Sequence, residues 1–111
     1  MKTGEVWLAQ LDPTVGSEIQ KTRPCVVVSP QEMNDHLKTV IVAPISTGSR
    51  PAGFRVALEF QDKQGLILLE QLRTLDRARL IKRLDKVGSP TLRATLSALQ
   101  ALFAPAGSDE G

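Results

Sequence analysis

The stretch Gly16-Ser17-Glu18-Ile19-Gln20-Lys21-Thr22-Arg23-Pro24-Cys25-Val26-Val27-Val28-Ser29 passes within a few residues from a polar loop to an apolar run. Cys25 to Val28 is too apolar for an exposed strand, and its β-branched residues suit a buried one. Pro24 fixes its own φ and biases Arg23 toward an extended backbone, so the arginine leaves the loop in a restricted direction. A guanidinium held at the rim of a rigid strand can grip a phosphate or carboxylate with its planar fork. The plainer alternative is a surface ion pair with Glu18.

Working outward, the pattern predicts five or six short strands. Val6 to Leu11 reads as the first, with Trp7 as a core plug, and Asp12-Pro13 breaks it. The second strand runs from Pro24 to Ser29. A short helix is expected over Gln31 to Leu37, with Ser29 as cap and Pro30 at its first position. Thr39 to Ile45 is a third, nearly all-apolar strand that ends in the hydroxyl- and Gly-containing loop Ser46 to Gly53. Such a loop can cradle a phosphate, although its spacing is not that of a P-loop. Phe54 to Phe60 alternates as a half-buried strand, Gln61 to Gly65 reads as a turn, and Leu66 to Leu69 as a fifth strand. Glu70 then closes an apolar run, where its carboxylate needs a partner, for which Arg23 and Arg73 are the candidates. Leu80 to Val87 reads as an edge strand. Ser89-Pro90 opens a helix over Thr91 to Phe103, with Leu92, Leu96, Leu99 and Phe103 as its apolar stripe. The expectation is a mainly β (α+β) chain, a compact antiparallel barrel with a C-terminal helix. Residues 1–103 form one domain, and 104–111 form a disordered tail with nothing to bury.

The chain has 111 residues, enough for one core, with 41% hydrophobic residues and a net charge of +2. That balance says little about partners, but six basic residues against two acidic ones between Arg73 and Lys86 make a local basic segment. Such a run is a solvated face or a contact for an anionic partner. One cysteine excludes an internal disulfide, and Cys25 is read as a small buried hydrophobe. His36, the only histidine, is expected at the surface, with no second ligand at metal spacing. Neither a secretory signal nor a membrane span is evident, so the expected location is cytoplasmic.

Gly4-Glu5-Val6-Trp7, Gly16-Ser17-Glu18, Arg23-Pro24-Cys25-Val26-Val27-Val28-Ser29, Val42-Ala43-Pro44-Ile45-Ser46 and Leu68-Leu69-Glu70-Gln71-Leu72-Arg73-Thr74-Leu75-Asp76 occur in this order. Together these blocks resemble the MazF/PemK family of endoribonuclease toxins from type II toxin–antitoxin systems, and the resemblance covers about residues 4 to 103. The resemblance implies the SH3-like barrel of the CcdB/PemK-like toxin fold, a homodimer, and a cognate antitoxin protein as partner. It implies sequence-specific cleavage of single-stranded RNA (mRNA) without a metal or other cofactor. The 2′-OH attacks the neighbouring phosphate and leaves 2′,3′-cyclic phosphate and 5′-OH ends. The family's catalytic arginine falls on Arg23, its strand-end hydroxyl on Ser46, its loop carboxylate on Glu18 and its later acidic position on Glu70.

Phe54 matches a position that lines the RNA path, and Thr47, Lys21, Gln71 and Arg73 are assigned to RNA contact beside it. Such chemistry needs positioning and charge stabilisation at phosphorus more than a covalent catalyst. Ser46 before Thr47 departs from the usual Thr-first order, and either hydroxyl can serve. Ser46 is expected to act because the preceding strand fixes its direction. Glu18 and Glu70 both remain candidates for the base. A gyrase-poisoning toxin of the same fold is the alternative, but such toxins rely on a C-terminal Trp-Gly-Ile, whereas this chain ends Ser108-Asp109-Glu110-Gly111. A purely interacting barrel lacks the aromatics of a peptide groove, since the chain has no Tyr and 4% aromatic residues.

Overall fold

The computed structural model describes residues 1–106. Most of the tail expected over 104–111 therefore lies outside the described residues. Seven strands form one antiparallel sheet: β1 (Glu5–Gln10), β2 (Thr22–Val27), β3 (Thr39–Ser46), β4 (Arg55–Phe60), β5 (Lys63–Leu68), β6 (Arg73–Asp76) and β7 (Leu80–Lys86). Helix α1 (Gln31–His36) links β2 to β3, and α2 (Ser89–Leu102) closes the chain. The strand order is β4-β5-β3-β2-β1-β7, with β6 added on β3. The sheet curls into a half-barrel, an α+β fold whose strand path stays open at β4 and β7.

The near-continuous apolar runs are explained by burial on both faces of the sheet. Val6, Val26, Val28, Ala43, Ile45, Leu58, Ile67 and Leu69 form one cluster, against which Leu84, Val87, Ala98 and Leu99 pack. Ala9, Leu11, Cys25, Val27, Val40, Val42, Leu75 and Leu80 form the other, with Trp7 and Ile19 at its margin. Neighbours along β2 thus alternate between two apolar clusters, each fully buried side chain contributing roughly 1.5–3 kcal/mol.

β3 is the hub. It pairs with β2 along one edge, while its other edge is shared by β6 up to Val42 and by β5 from Ile45. The strand was expected to stop before Ser46, but it runs through Pro44 to Ser46. Pro44 falls in the gap between β6 and β5, where no ladder donor is required of it on that side. β6 falls where no strand is expected; two of its four residues, Arg73 and Asp76, are charged, and only pairing with β3 makes the four a strand.

Other boundaries shift for local reasons. β2 begins at Thr22, because the β1 ladder extends to the Gln10–Thr22 pair. The β4–β5 turn is only Gln61-Asp62, both with positive φ, and β5 begins at Lys63. Gly65 is therefore a strand residue, not a turn residue. A Cβ there would sit 3.3 Å from both the Ile45 side chain and the Ser46 carbonyl oxygen. Its absence lets β5 approach the end of β3.

Ser29 does not cap α1, which has Pro30 at the capping position. The Ser29 hydroxyl instead donates to the Asn34 side chain and accepts from the Ile41 amide. Gly88 rather than Ser89 caps α2. The inward stripe of α2 is also turned from expectation. Thr95 is fully buried, its hydroxyl bonded to the Thr91 carbonyl, while Leu96 is 37% and Phe103 70% exposed. A polar residue can take the buried position because the helix itself satisfies the hydroxyl.

Candidate functional site

The loop between β1 and β2 crosses the mouth of a cleft of about 440 Å³. Its floor is apolar (Leu11, Ile19, Pro44, Leu72), and Glu18, Glu70, Gln71 and Arg73 stand on its walls. Four of the nine residues singled out from sequence thus meet in one place. Glu18 Oε1 accepts from the Val15 amide at 2.7 Å, which folds the loop tip over its own carboxylate. Gln71 Oε1 accepts from the Ile19 amide at 2.8 Å and ties the loop to the segment after β5.

Arg23 pairs with neither Glu18 nor Glu70. It is exposed at the start of β2, with Nε donating to the Gln20 carbonyl at 3.3 Å. Cys25 lies opposite Pro44. Stepping two residues along each strand sets Arg23 beside the strand end that carries Ser46.

Ser46 and Thr47 line a second, more open hollow of about 240 Å³, together with Ser49, Gln64 and Gly65. Ser46 Oγ accepts from the Gly48 amide at 3.2 Å and from the Ser49 hydroxyl at 2.8 Å. Thr47, Lys21 and Phe54 are exposed, and the last two line neither concavity.

The partner of Glu70 is Arg55, a residue sequence reasoning left unassigned. Arg55 Nη2 and Nε lie 2.5 and 3.0 Å from Glu70 Oε2, and Nη1 donates to the Arg50 carbonyl at 2.8 Å. Its guanidinium carbon lies 5.6 Å from the centre of the Phe54 ring. The Glu70 carboxylate pushes the Arg55 pKa up, first by hydrogen bonding and then by its charge, with desolvation acting the other way. One side chain therefore joins the cleft wall to the loop that follows Ser46. The signal available was register: Arg55 lies opposite Leu68, two residues before Glu70.

Cys25 is fully buried, and desolvation pushes its thiol up to about 12, with Arg73 pulling weakly the other way. A thiol so held is no nucleophile at neutral pH. His36 is exposed, its Nδ1 against the Glu32 carbonyl. Among the described residues no three His, Cys, Asp or Glu side chains gather at metal-holding distance, and no helix is long and apolar enough to cross a membrane.

A small curled antiparallel sheet with a closing helix thus presents a strand-start arginine, a strand-end hydroxyl and a cleft walled by Glu18, Glu70, Gln71 and Arg73. The family model described as the PemK-like, MazF-like toxin of type II toxin–antitoxin systems matches residues 2–103, and the chain belongs to that family. It is 37% identical over 109 residues to the endoribonuclease PemK of Escherichia coli, covering 93% of this chain and 82% of that protein. It is 40% identical over 90 residues to the endoribonuclease MazF of Staphylococcus epidermidis, covering 76% and 75% respectively. Among solved structures, MazF of Deinococcus radiodurans superposes with a TM-score of 0.80 at 24% identity, covering 92% of this chain and 94% of that one. A mycobacterial endoribonuclease in complex with its cognate antitoxin gives 0.79 at 24% identity, covering 96% and 98%. At that identity the two structures speak for the shared fold.

Proposed function

We propose that this protein is the toxin of a type II toxin–antitoxin pair and an endoribonuclease that cuts single-stranded mRNA without a metal. In this reading the 2′-OH attacks the adjacent phosphorus as it loses its proton, the P–O5′ bond breaks, and the departing 5′-oxygen takes a proton from water, leaving a 2′,3′-cyclic phosphate and a 5′-OH. Arg23 stabilises charge on the non-bridging oxygens, and Ser46 donates its proton to one of them. Glu18 takes the 2′-OH proton through the carboxylate oxygen that the Val15 amide leaves unoccupied, while Glu70 serves as the anchor of Arg55. Lys21, Thr47, Phe54, Gln71 and Arg73 contact the RNA around them. The partners are a cognate antitoxin and a second copy of the chain.

The observation that carries this reading is the cleft itself. Glu18, Glu70, Gln71 and Arg73 share it, and Pro44 on its floor stands two residues before Ser46. The test is incubation with a long unstructured single-stranded RNA in EDTA, followed by analysis of fragment ends. Fragments with cyclic phosphate and 5′-OH ends are expected, and Arg23→Ala should lower the rate on the order of a hundredfold while leaving the core intact. Uncut RNA, or an Arg23→Ala protein as fast as wild type, overturns it.

A further inference from the structure

Four of the six basic residues between Arg73 and Lys86 bond to groups of the chain itself, while Lys82 and Lys86 are exposed. Arg77 Nη1 donates to the Asn34 and Leu37 carbonyls at the end of α1, and Arg83 pairs with Glu5. Arg73 and Arg79 converge on a different target, three consecutive carbonyls at the neck of the β1–β2 loop. Arg79 Nη1 donates to the Gln10 carbonyl at 3.2 Å and to the Asp12 carbonyl at 2.7 Å. Arg73 Nη1 donates to the Leu11 carbonyl between them at 3.1 Å. Successive carbonyls of an extended chain point to opposite sides, so two guanidiniums gripping alternate carbonyls resist both sliding and rotation of the neck.

The far side of the neck is closed by the chain itself. The Leu11 amide donates to the Lys21 carbonyl at 2.8 Å, and the Lys21 amide donates to Asp12 Oδ1 at 2.9 Å. Asp12 is thus held at both ends, its carbonyl by Arg79 and its carboxylate by Lys21. Hydrogen bonds from a charged donor are about twice as strong as neutral ones, and none of these carbonyls belongs to the sheet ladder beyond Gln10.

We propose that Arg79, with Arg73, is a positioning residue that clamps the neck of the Asp12–Lys21 loop and so holds Glu18 at the cleft. The inference rests on the reading of Glu18 as the base. Arg79 touches no reacting atom; it acts through the backbone of Gln10 and Asp12, and small displacements of a catalytic group are costly in rate.

The experiment compares wild type with Arg79→Ala and Arg79→Lys by two readouts. Amide hydrogen exchange is followed at Glu18, Ile19 and Lys21, with Val40 to Ile45 of β3 as the fold control. Cleavage of a long unstructured single-stranded RNA is followed for kcat and KM separately. In Arg79→Ala the loop amides should exchange at least tenfold faster while β3 keeps its protection. In the same variant kcat should fall about tenfold or more, with KM within threefold of wild type. Arg79→Lys, which keeps a charged donor, should recover most of both effects. If Arg79→Ala does not fold, Arg79→Gln, with similar length and one neutral donor, takes its place.

Loop amides exchanging at the wild-type rate overturn the proposal, as do loosened amides with unchanged kcat. If the wild-type protein leaves RNA uncut, the functional reading falls by itself, and the exchange data alone decide whether the clamp exists.

Discussion

Ser46 Oγ accepts from the Gly48 amide and shares a hydrogen bond with the Ser49 hydroxyl, and with Ser49 as donor its own proton is free to be donated. That is the polarity a negatively charged phosphoryl oxygen requires. At saturating RNA, Ser46→Ala should therefore lower kcat far more than Thr47→Val, and Ser46→Thr should be tolerated. A crippled Thr47→Val with an active Ser46→Ala would move the reacting hydroxyl one residue along the loop. Glu5 offers a second prediction. Burial pushes its carboxyl up, but the Lys2 amide, the Trp7 indole N–H and the Arg83 guanidinium together bring it below the usual carboxylate range. A lowered folded pKa adds stability that is complete above the unfolded value and is lost as the pH falls through the folded one. Melting temperature should therefore drop between neutral pH and about pH 3, by more in wild type than in Glu5→Gln. The fluorescence of Trp7, the only Trp, should change over the same range. Equal losses in the two proteins would remove Glu5 from the account. The sequence revealed the identities of Glu18, Glu70, Gln71 and Arg73 but not the pairing of Glu70. In a half-buried alternating strand Arg55 reads as one more outward side chain, and only its register against β5 brings it to the carboxylate.

Among the elements, the β4–β5 hairpin carries a cost that a sequence reader overlooks. Gln61 and Asp62 have φ of 51° and 63°, the left-handed region that a two-residue hairpin loop of this kind demands, which Asp tolerates better than Gln and Asn or Gly better than both. Replacing them with Asn-Gly should stabilise the protein by about 0.5–1 kcal/mol, read as a higher denaturation midpoint with unchanged slope. No gain would mean that Gln61 or Asp62 makes compensating contacts. In the sequence Gln61 to Gly65 reads as one turn, whereas Gly65 serves the close approach of β5 to Ser46. The apolar parts of β2 and β3 were legible as near-continuous apolar runs, and β4 by its alternation. β6 was not, since Arg73-Thr74-Leu75-Asp76 has one buried side chain, Leu75, and owes its conformation to β3. The stripe of α2 departs from its sequence pattern for a related reason: Thr95 becomes as buried as a leucine once its hydroxyl is satisfied within the helix.

For the molecule as a whole, the apolar fraction exceeds what one small curled sheet covers. Val15, Ile81 and Phe103 are 79, 57 and 70% exposed, and Leu96 and Leu102 stand out from α2 beside Phe103. Light scattering at micromolar concentration should accordingly give twice the 12.1 kDa mass of the chain. A monomeric mass with RNA cleavage intact would refute the dimer. Cys25, at the junction of β2 with the strands beside it, gives the same molecule a built-in reporter. It is the only cysteine and has no accessible surface, and its thiol, pushed up to about 12, yields almost no thiolate near neutrality. A maleimide dye can reach it only when β2 separates from its neighbours, so the rate of dye uptake counts openings of the sheet. Any partner that binds only the folded chain should slow that uptake, about a hundredfold when present at a hundred times its dissociation constant. The affinity of an antitoxin can then be read from the colour of a single sulfur, without following a single cut in RNA.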